Sequence, residues 1–200
     1  NVIGPVSQSN SATGQFDSLA DQDNNVDVSQ QIVADNTCDG TATHTAQCSN
    51  FETDNFIDSI TQSNTATGEL DAASTQFNNA VIDQNMDVLN DCDEINTGDS
   101  GATCLNFLPS NFIGPITQTS ANSAGSEADI ATVAQSNDAG ITQNLESIND
   151  CNESVDGPNI VDCRNDPLNT IASIVQSNTA PVADDFVQNN FGIINQDLLA

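Results

Sequence analysis

From Ile60 onward, apolar and amide side chains alternate with hydroxyl side chains. Ile60, Gln62, Asn64 and Ala66 share one parity, Thr61, Ser63, Thr65 and Thr67 the other, and Gly68 closes the run. After a short connection the alternation resumes. Gln76, Asn78, Ala80, Ile82, Gln84, Met86 and Val88 fall on one parity, and Phe77, Asn79, Val81, Asp83, Asn85 and Asp87 on the other. A period of two predicts strands with one face buried. The same pattern recurs at Val6, Gln8, Asn10 and Ala12; at Gln22, Asn24, Val26, Val28, Gln30 and Ile32; at Gln135, Asn137, Ala139, Ile141, Gln143 and Leu145; and at Gln188, Asn190, Ile194, Gln196 and Leu198. Each unit is predicted as strand, arc, strand, then an excursion bounded by cysteines.

The units are in register with one another. Gln8, Gln62, Gln118 and Gln176 open successive copies at spacings of 54, 56 and 58 residues. Gln22, Gln76, Gln135 and Gln188 follow, then Gln30, Gln84, Gln143 and Gln196 eight residues later, and eight further on Cys38, Cys92 and Cys151. Asn1-Val2-Ile3 aligns with Asn55-Phe56-Ile57, Asn111-Phe112-Ile113 and Asn169-Thr170-Ile171, which divides a single repeat domain into 1–54, 55–110, 111–168 and a partial 169–200. The third copy departs, with Ser120 where asparagine is expected and 17 residues from Gln118 to Gln135. A fixed period of this size predicts a stacked, quasi-one-dimensional architecture. The expected fold is all-β, a β-solenoid of about 3.5 strand–arc–strand repeats with disulfide-closed loops. The alternative is a β-sandwich that polymerises by donor-strand exchange.

The inward face is too polar for an ordinary hydrophobic core. A buried amide is costly unless hydrogen-bonded, and stacking identical residues satisfies it, each amide donating to one neighbour and accepting from the other. The expected ladder comprises the glutamines above together with Asn10, Asn24, Asn64, Asn78, Asn137, Asn178 and Asn190. The motifs Gln62-Ser63-Asn64-Thr65-Ala66 and Gln76-Phe77-Asn78-Asn79-Ala80, with Gln84 closing the strand, resemble the curlin repeats, subunits of bacterial curli fibres. The resemblance implies stacked strand–turn–strand units with inward Gln, Asn, Ala and aliphatic residues, and a role in an extracellular fibre. It covers the strand pairs, about half the chain. Curlin repeats are shorter and lack cysteine, whereas these run beyond fifty residues and carry a cysteine pair.

Composition narrows the function classes. The chain has 29 acidic residues, one arginine (Arg164) and no lysine, for a net charge of −28. Low hydrophobicity with high charge favours disorder, but disorder requires no register. A polyanion cannot neutralise phosphates, which excludes nucleic acid and anionic membrane surfaces as partners. No apolar run is long enough to span a bilayer, and a chain beginning at Asn1 reads as a processed product. Abundant Asp without Lys suits a salty exterior in which ions screen self-repulsion.

Six cysteines fall into sequential pairs, Cys38 with Cys48, Cys92 with Cys104 and Cys151 with Cys163. Three local disulfides and an oxidising location are expected, each bond contributing about 3 kcal/mol. The competing reading is zinc, which would need closer spacing and further ligands than His44, the one histidine. Outward acids on stacked turns would bring like charges within roughly 5 Å. Calcium is the expected remedy, with Asp91, Asp93, Asn96 and Asp99 around the second cysteine loop as the candidate ligands. Asn36, Asn90 and Asn149 read as turn formers, and Asn152-Glu153-Ser154 is a sequon for a glycan on Asn152.

No catalytic constellation is present: one histidine, no phosphate loop and no haem motif. The first and last units carry the same amide face with no atypical capping repeat, and an uncovered edge recruits another chain. The expectation is therefore the subunit of an extracellular, non-covalent β-rich filament that assembles with itself head to tail, through amide ladders or strand addition. The alternative is a secreted adhesin or ion-binding cell-surface protein acting as a monomer or array. An ice-binding solenoid is disfavoured, because no Thr-x-Thr face recurs in every copy.

Overall fold

The computed structural model describes residues 1–15, 19–41, 46–51, 53–69, 73–95, 101–124, 130–154, 160–179 and 183–199. These residues form strands, with no helix among them. The first pass of the chain supplies β1 (Val2–Ile3), β2 (Val6–Gln15), β3 (Leu19–Thr41) and β4 (Ala46–Phe51). The second supplies β5 (Asp54–Ile57), β6 (Ile60–Glu69), β7 (Ala73–Ile95) and β8 (Gly101–Phe107). The third supplies β9 (Ser110–Ile113), β10 (Ile116–Ala124), β11 (Ile130–Ser154) and β12 (Ile160–Asn165), and the last β13 (Leu168–Ile171), β14 (Ile174–Thr179) and β15 (Ala183–Leu199).

Equivalent strands stack as four parallel sheets: β1-β5-β9-β13, β2-β6-β10-β14, β3-β7-β11-β15 and β4-β8-β12. The architecture is all-β and solenoid-like, as expected. The register is the sequence register: Gln62 lies opposite Gln8 and Gln118, and Gln76 opposite Gln22 and Gln135. Ser120, unexpected in the third copy, falls opposite Asn64 and Asn178. The copy thus keeps register through β10 before its extra residues, which lie in the connection to β11.

One feature of the predicted unit is corrected. The cysteine segments do not branch from the strand pair. The second strand runs straight on through its cysteine for 23 residues in β7, about 75 Å at 3.3 Å per residue. From residue 101 the chain returns as β8, β9 and β10, broken at residues 108–109 and 114–115. The long sheet therefore faces three short ones in turn, as the cross-layer hydrogen bonds show. Gln62 Nε2 donates to Asn24 and Asn79 carbonyls, Gln84 Nε2 to the Asn55 carbonyl, and Asn36 Nδ2 to the Ser49 carbonyl.

Aliphatic packing is concentrated at one corner. Ile57, Ile60, Ile113 and Ile116 are fully buried there with Val26, Val28, Ile82 and Ile141, and Ile3, Val6, Ile171 and Ile174 pack partly buried at the two ends. Burial drives this corner shut, because it removes apolar side chains from water. The third pass closes it at Gly114, whose N–H donates to the Ile57 carbonyl at 2.8 Å. A Cβ at Gly114 would overlap the Asp58 backbone carbonyl, whereas one at the equivalent Gly4 would meet open space. Gly114→Ala is expected to destabilise by about 1–3 kcal/mol and Gly4→Ala to be near neutral, as read from paired urea denaturation curves.

Candidate functional site: amide ladders and two unpaired edges

The buried polar residues form continuous columns. Gln62, Gln118 and Gln176 Nε2 donate in turn to Oε1 of Gln8, Gln62 and Gln118, at 3.2, 2.9 and 2.9 Å. Gln76, Gln135 and Gln188 donate likewise to Gln22, Gln76 and Gln135, at 2.9, 2.9 and 2.6 Å. Gln84, Gln143 and Gln196 donate to Gln30, Gln84 and Gln143, at 2.7, 2.9 and 2.6 Å. In the inner passes a second bond settles the amide's orientation. The same Nε2 of Gln62, Gln76 and Gln84 also reaches a backbone carbonyl of the facing layer, which can only accept.

The asparagine columns run the other way. Asn24 donates to Asn78, Asn78 to Asn137 and Asn137 to Asn190, at 3.0, 2.8 and 3.0 Å. Asn10, Asn64 and Asn178 belong to the facing layer and cross-link it: Asn10 donates to the Asp23 carbonyl, and Asn64 and Asn178 accept from Asn24 and Asn137. Ser120 takes the same place in its pass, accepting from Asn78 and donating to Asn137 Oδ1, both at 3.2 Å. Hydroxyl for amide preserves the bond at this position.

Three asparagine columns were not anticipated. Asn36, Asn90 and Asn149 are ladder members inside β3, β7 and β11, with Asn36 donating to Asn90 and Asn90 to Asn149. They are not turn formers. Asn50, Asn106 and Asn165 form a parallel column on the return strands, and Asn90 links the two by donating to Asn106 at 2.7 Å. Asn1, Asn55, Asn111 and Asn169 form the third, at 3.0, 2.9 and 3.1 Å. The signal was the recurrence of asparagine at a fixed place in each copy.

The opposite polarity of the two amide types has a consequence at the edges. β1, β2 and β3 each have one unpaired edge at one end of the stack, and β13, β14 and β15 at the other. At the first end Gln8, Gln22 and Gln30 use one amide hydrogen on a backbone carbonyl, and the other has no partner among the described residues. At the last end Gln176, Gln188 and Gln196 donate inward, and among the described residues nothing donates to their Oε1 atoms. For asparagine the roles are exchanged: Asn24 donates inward and its Oδ1 receives no bond among the described residues.

The ends are also stepped. Gln22, Asn24, Val26, Val28 and Gln30 of the first pass are buried, because strands of the next pass lean over them. The corresponding residues of β15 form an open ledge, with Ile194 50% and Leu198 53% exposed.

The outward acids are less crowded than stacking alone suggested. Asp23, Asp27 and Asp35 lie opposite Phe77, Val81 and Leu89, and Asp83 lies between Ser29 and Thr142. Asp87 lies opposite Glu146, and toward the far end of the long sheet Asp91 lies opposite Asp150, Asp93 opposite Asp39 and Glu94 opposite Glu153. Where neutral residues separate the acids, diffuse screening relieves them, and the acid-on-acid pairs depend on it more strongly. Thermal stability is expected to rise as NaCl goes from low concentration toward about 1 M, where the Debye length falls to about 3 Å; a flat or falling response in a salt series would contradict this.

Of the expected calcium ligands, the side chains of Asp93, Asn96 and Asp99 lie outside the described residues, as do those of His44 and Asn152. Asp91 sits in β7 opposite Asp150 and Thr37. Arg164 is exposed on β12. The cysteines align as two columns, Cys38, Cys92 and Cys151 on the long sheet and Cys48, Cys104 and Cys163 on the return sheet, and no described cysteine is free.

These features define a class, a solenoid-like stack of parallel sheets carried by amide ladders. No protein-family model, curated protein or solved structure matches the chain.

Proposed function

We propose that this chain is the structural subunit of an extracellular, non-covalent β-rich filament, built by stacking the last pass of one copy on the first pass of the next. The observation that carries this reading is the complementarity of the two edges. One offers glutamine donors and asparagine acceptors, and the other offers glutamine acceptors and asparagine donors in the same columns. Continuing the register places Gln176, Gln188 and Gln196 on Gln8, Gln22 and Gln30 of the next copy. The stepped ends then overlap. Asn190 takes the position toward the next copy's Asn10 that Asn24 holds toward Asn64, and Ile194 meets the partly buried corner formed by Ile3 and Val6.

Such a contact is heterologous and does not close, so it propagates. It is also directional, because like ends would oppose donor to donor and reverse the strands. On this reading the cysteine columns close as Cys38–Cys48, Cys92–Cys104 and Cys151–Cys163, and three such bridges suit an oxidising, extracellular setting. The curlin-type resemblance points the same way. Sedimentation velocity at rising protein concentration in about 1 M salt, with and without calcium, tests the proposal. Growing, size-heterogeneous species are expected; a single monomer boundary at every concentration would contradict it and favour the monomeric adhesin.

A further inference from the structure

The acids of this chain are unevenly placed. On the long sheet Asp23, Asp27, Asp83, Asp87, Asp138 and Glu146 all point outward. The outward face of the β2-β6-β10-β14 sheet is different. Its described side chains, from Ser7 to Thr13, Thr61 to Thr67, Thr117 to Ala121 and Val175 to Thr179, carry no charge, and all but Ala121 and Val175 are Ser or Thr. They align into columns, such as Ser7, Thr61 and Thr117 beside Ser9, Ser63 and Thr119. None of those six hydroxyls has a hydrogen-bond partner among the described residues. In a chain of net charge −28, a flat hydroxyl lattice without a carboxylate among its described side chains is a sheet face that another polyanion can approach closely.

We propose that this hydroxyl face is the lateral contact through which filaments of this chain pair side by side, the occupant being the same face of a second copy. The inference rests on the filament reading. Three observations select a copy over other occupants. The lattice repeats at about 4.8 Å between strands and about 6.6 Å along them, and a second copy carries both spacings by construction. A hydroxyl both donates and accepts, so two such faces satisfy one another without a complementary surface having to exist elsewhere. Small side chains let paired sheets come close, as in steric zippers. Size then decides when the contact forms. Four strands of about nine residues make a face of roughly 550 Å², below the roughly 800 Å² per partner of a stable complex. A lone subunit therefore does not pair. A filament, repeating the face along its length, does so by multivalency.

The test compares wild-type protein with Ser63→Glu/Thr119→Glu by negative-stain electron microscopy after assembly in about 1 M salt. Both positions point away from the ladders. Wild-type filaments are expected to lie in pairs or ribbons, and variant filaments of equal length and equal subunit repeat to be single, with the paired fraction falling at least tenfold. Pairing that survives the substitutions overturns the inference, and so do wild-type filaments that remain single while the filament reading stands. Single wild-type filaments that co-sediment with cellulose microcrystals or ice, in a manner the substitutions abolish, also overturn it and assign the face to a solid hydroxyl lattice. Absence of filaments from both proteins sinks the filament reading, and this inference with it.

Discussion

Replacing Gln84 by leucine is expected to lower folding stability by about 3–5 kcal/mol, although leucine is more apolar and of similar size. Gln84 is fully buried at the middle of a ladder. Its Nε2 donates to Gln30 Oε1 at 2.7 Å and to the carbonyls of Asn55 and Phe112, and its Oε1 accepts from Gln143 at 2.9 Å. Leucine leaves Gln30 Oε1 without its donor and Gln143 with one bond fewer, and each stranded buried group costs about 1–3 kcal/mol. The control is Gln31→Leu, one strand position from Gln30 but exposed, where the change should stay within about 0.5 kcal/mol. Urea denaturation followed by circular dichroism reads both. A loss under 1 kcal/mol at Gln84 would mean that the amide columns fill space without holding the passes together.

Ile194→Asp is expected to leave the isolated subunit nearly intact and to stop its assembly, with elongation slowed at least about 100-fold. Ile194 stands opposite Ile141 on the exposed ledge of β15 and is half in water, so a carboxylate there remains hydrated in the monomer. In the joint it would be enclosed against Val28, Ile3 and Val6 of the next copy, where burying an unpaired charge is prohibitive. The same substitution at Ile82, 1% exposed in the same column, should prevent folding altogether. The contrast between the two positions separates a residue that holds the subunit from one that holds the filament. Light-scattering kinetics seeded with wild-type fragments, set beside the melting temperature, make the measurement. Elongation at wild-type rate would place the joint elsewhere.

Much of this was legible in the chain because the ladders demand identity. A glutamine column works only when glutamine recurs at the same place in each pass, and that constraint survives in the sequence as a period. The alternation around Gln62 and Gln76 therefore located the strands and their inward faces correctly. Asn36, Asn90 and Asn149 were misread because asparagine near cysteine and aspartate has the local signature of a turn. Only the facing strand, with Asn50, Asn106 and Asn165, reveals them as paired, Asn90 fully buried and the other two half-buried. The return strands β4, β8 and β12 are short and broken, which gave the period-two signal too little length to register. The direction of the ladders was invisible for a different reason. It depends on which backbone carbonyls the facing layer presents to each amide, and that is a property of two passes in three dimensions. The hydroxyl lattice likewise emerges only when Ser and Thr from different passes are aligned; along one strand they read as an ordinary solvated face.

In the filament the amide ladders are expected to continue from one copy into the next. Cryo-electron microscopy of filaments assembled in high salt, at a resolution that separates strands, tests it most directly. An uninterrupted stack of parallel strands at about 4.8 Å is expected in the long sheet, with Gln196 resting on Gln30 of the following copy and a subunit repeat equal to a whole number of strand spacings. Subunits joined end to end with a much longer repeat, or with a donated strand in place of a stacked face, would contradict it.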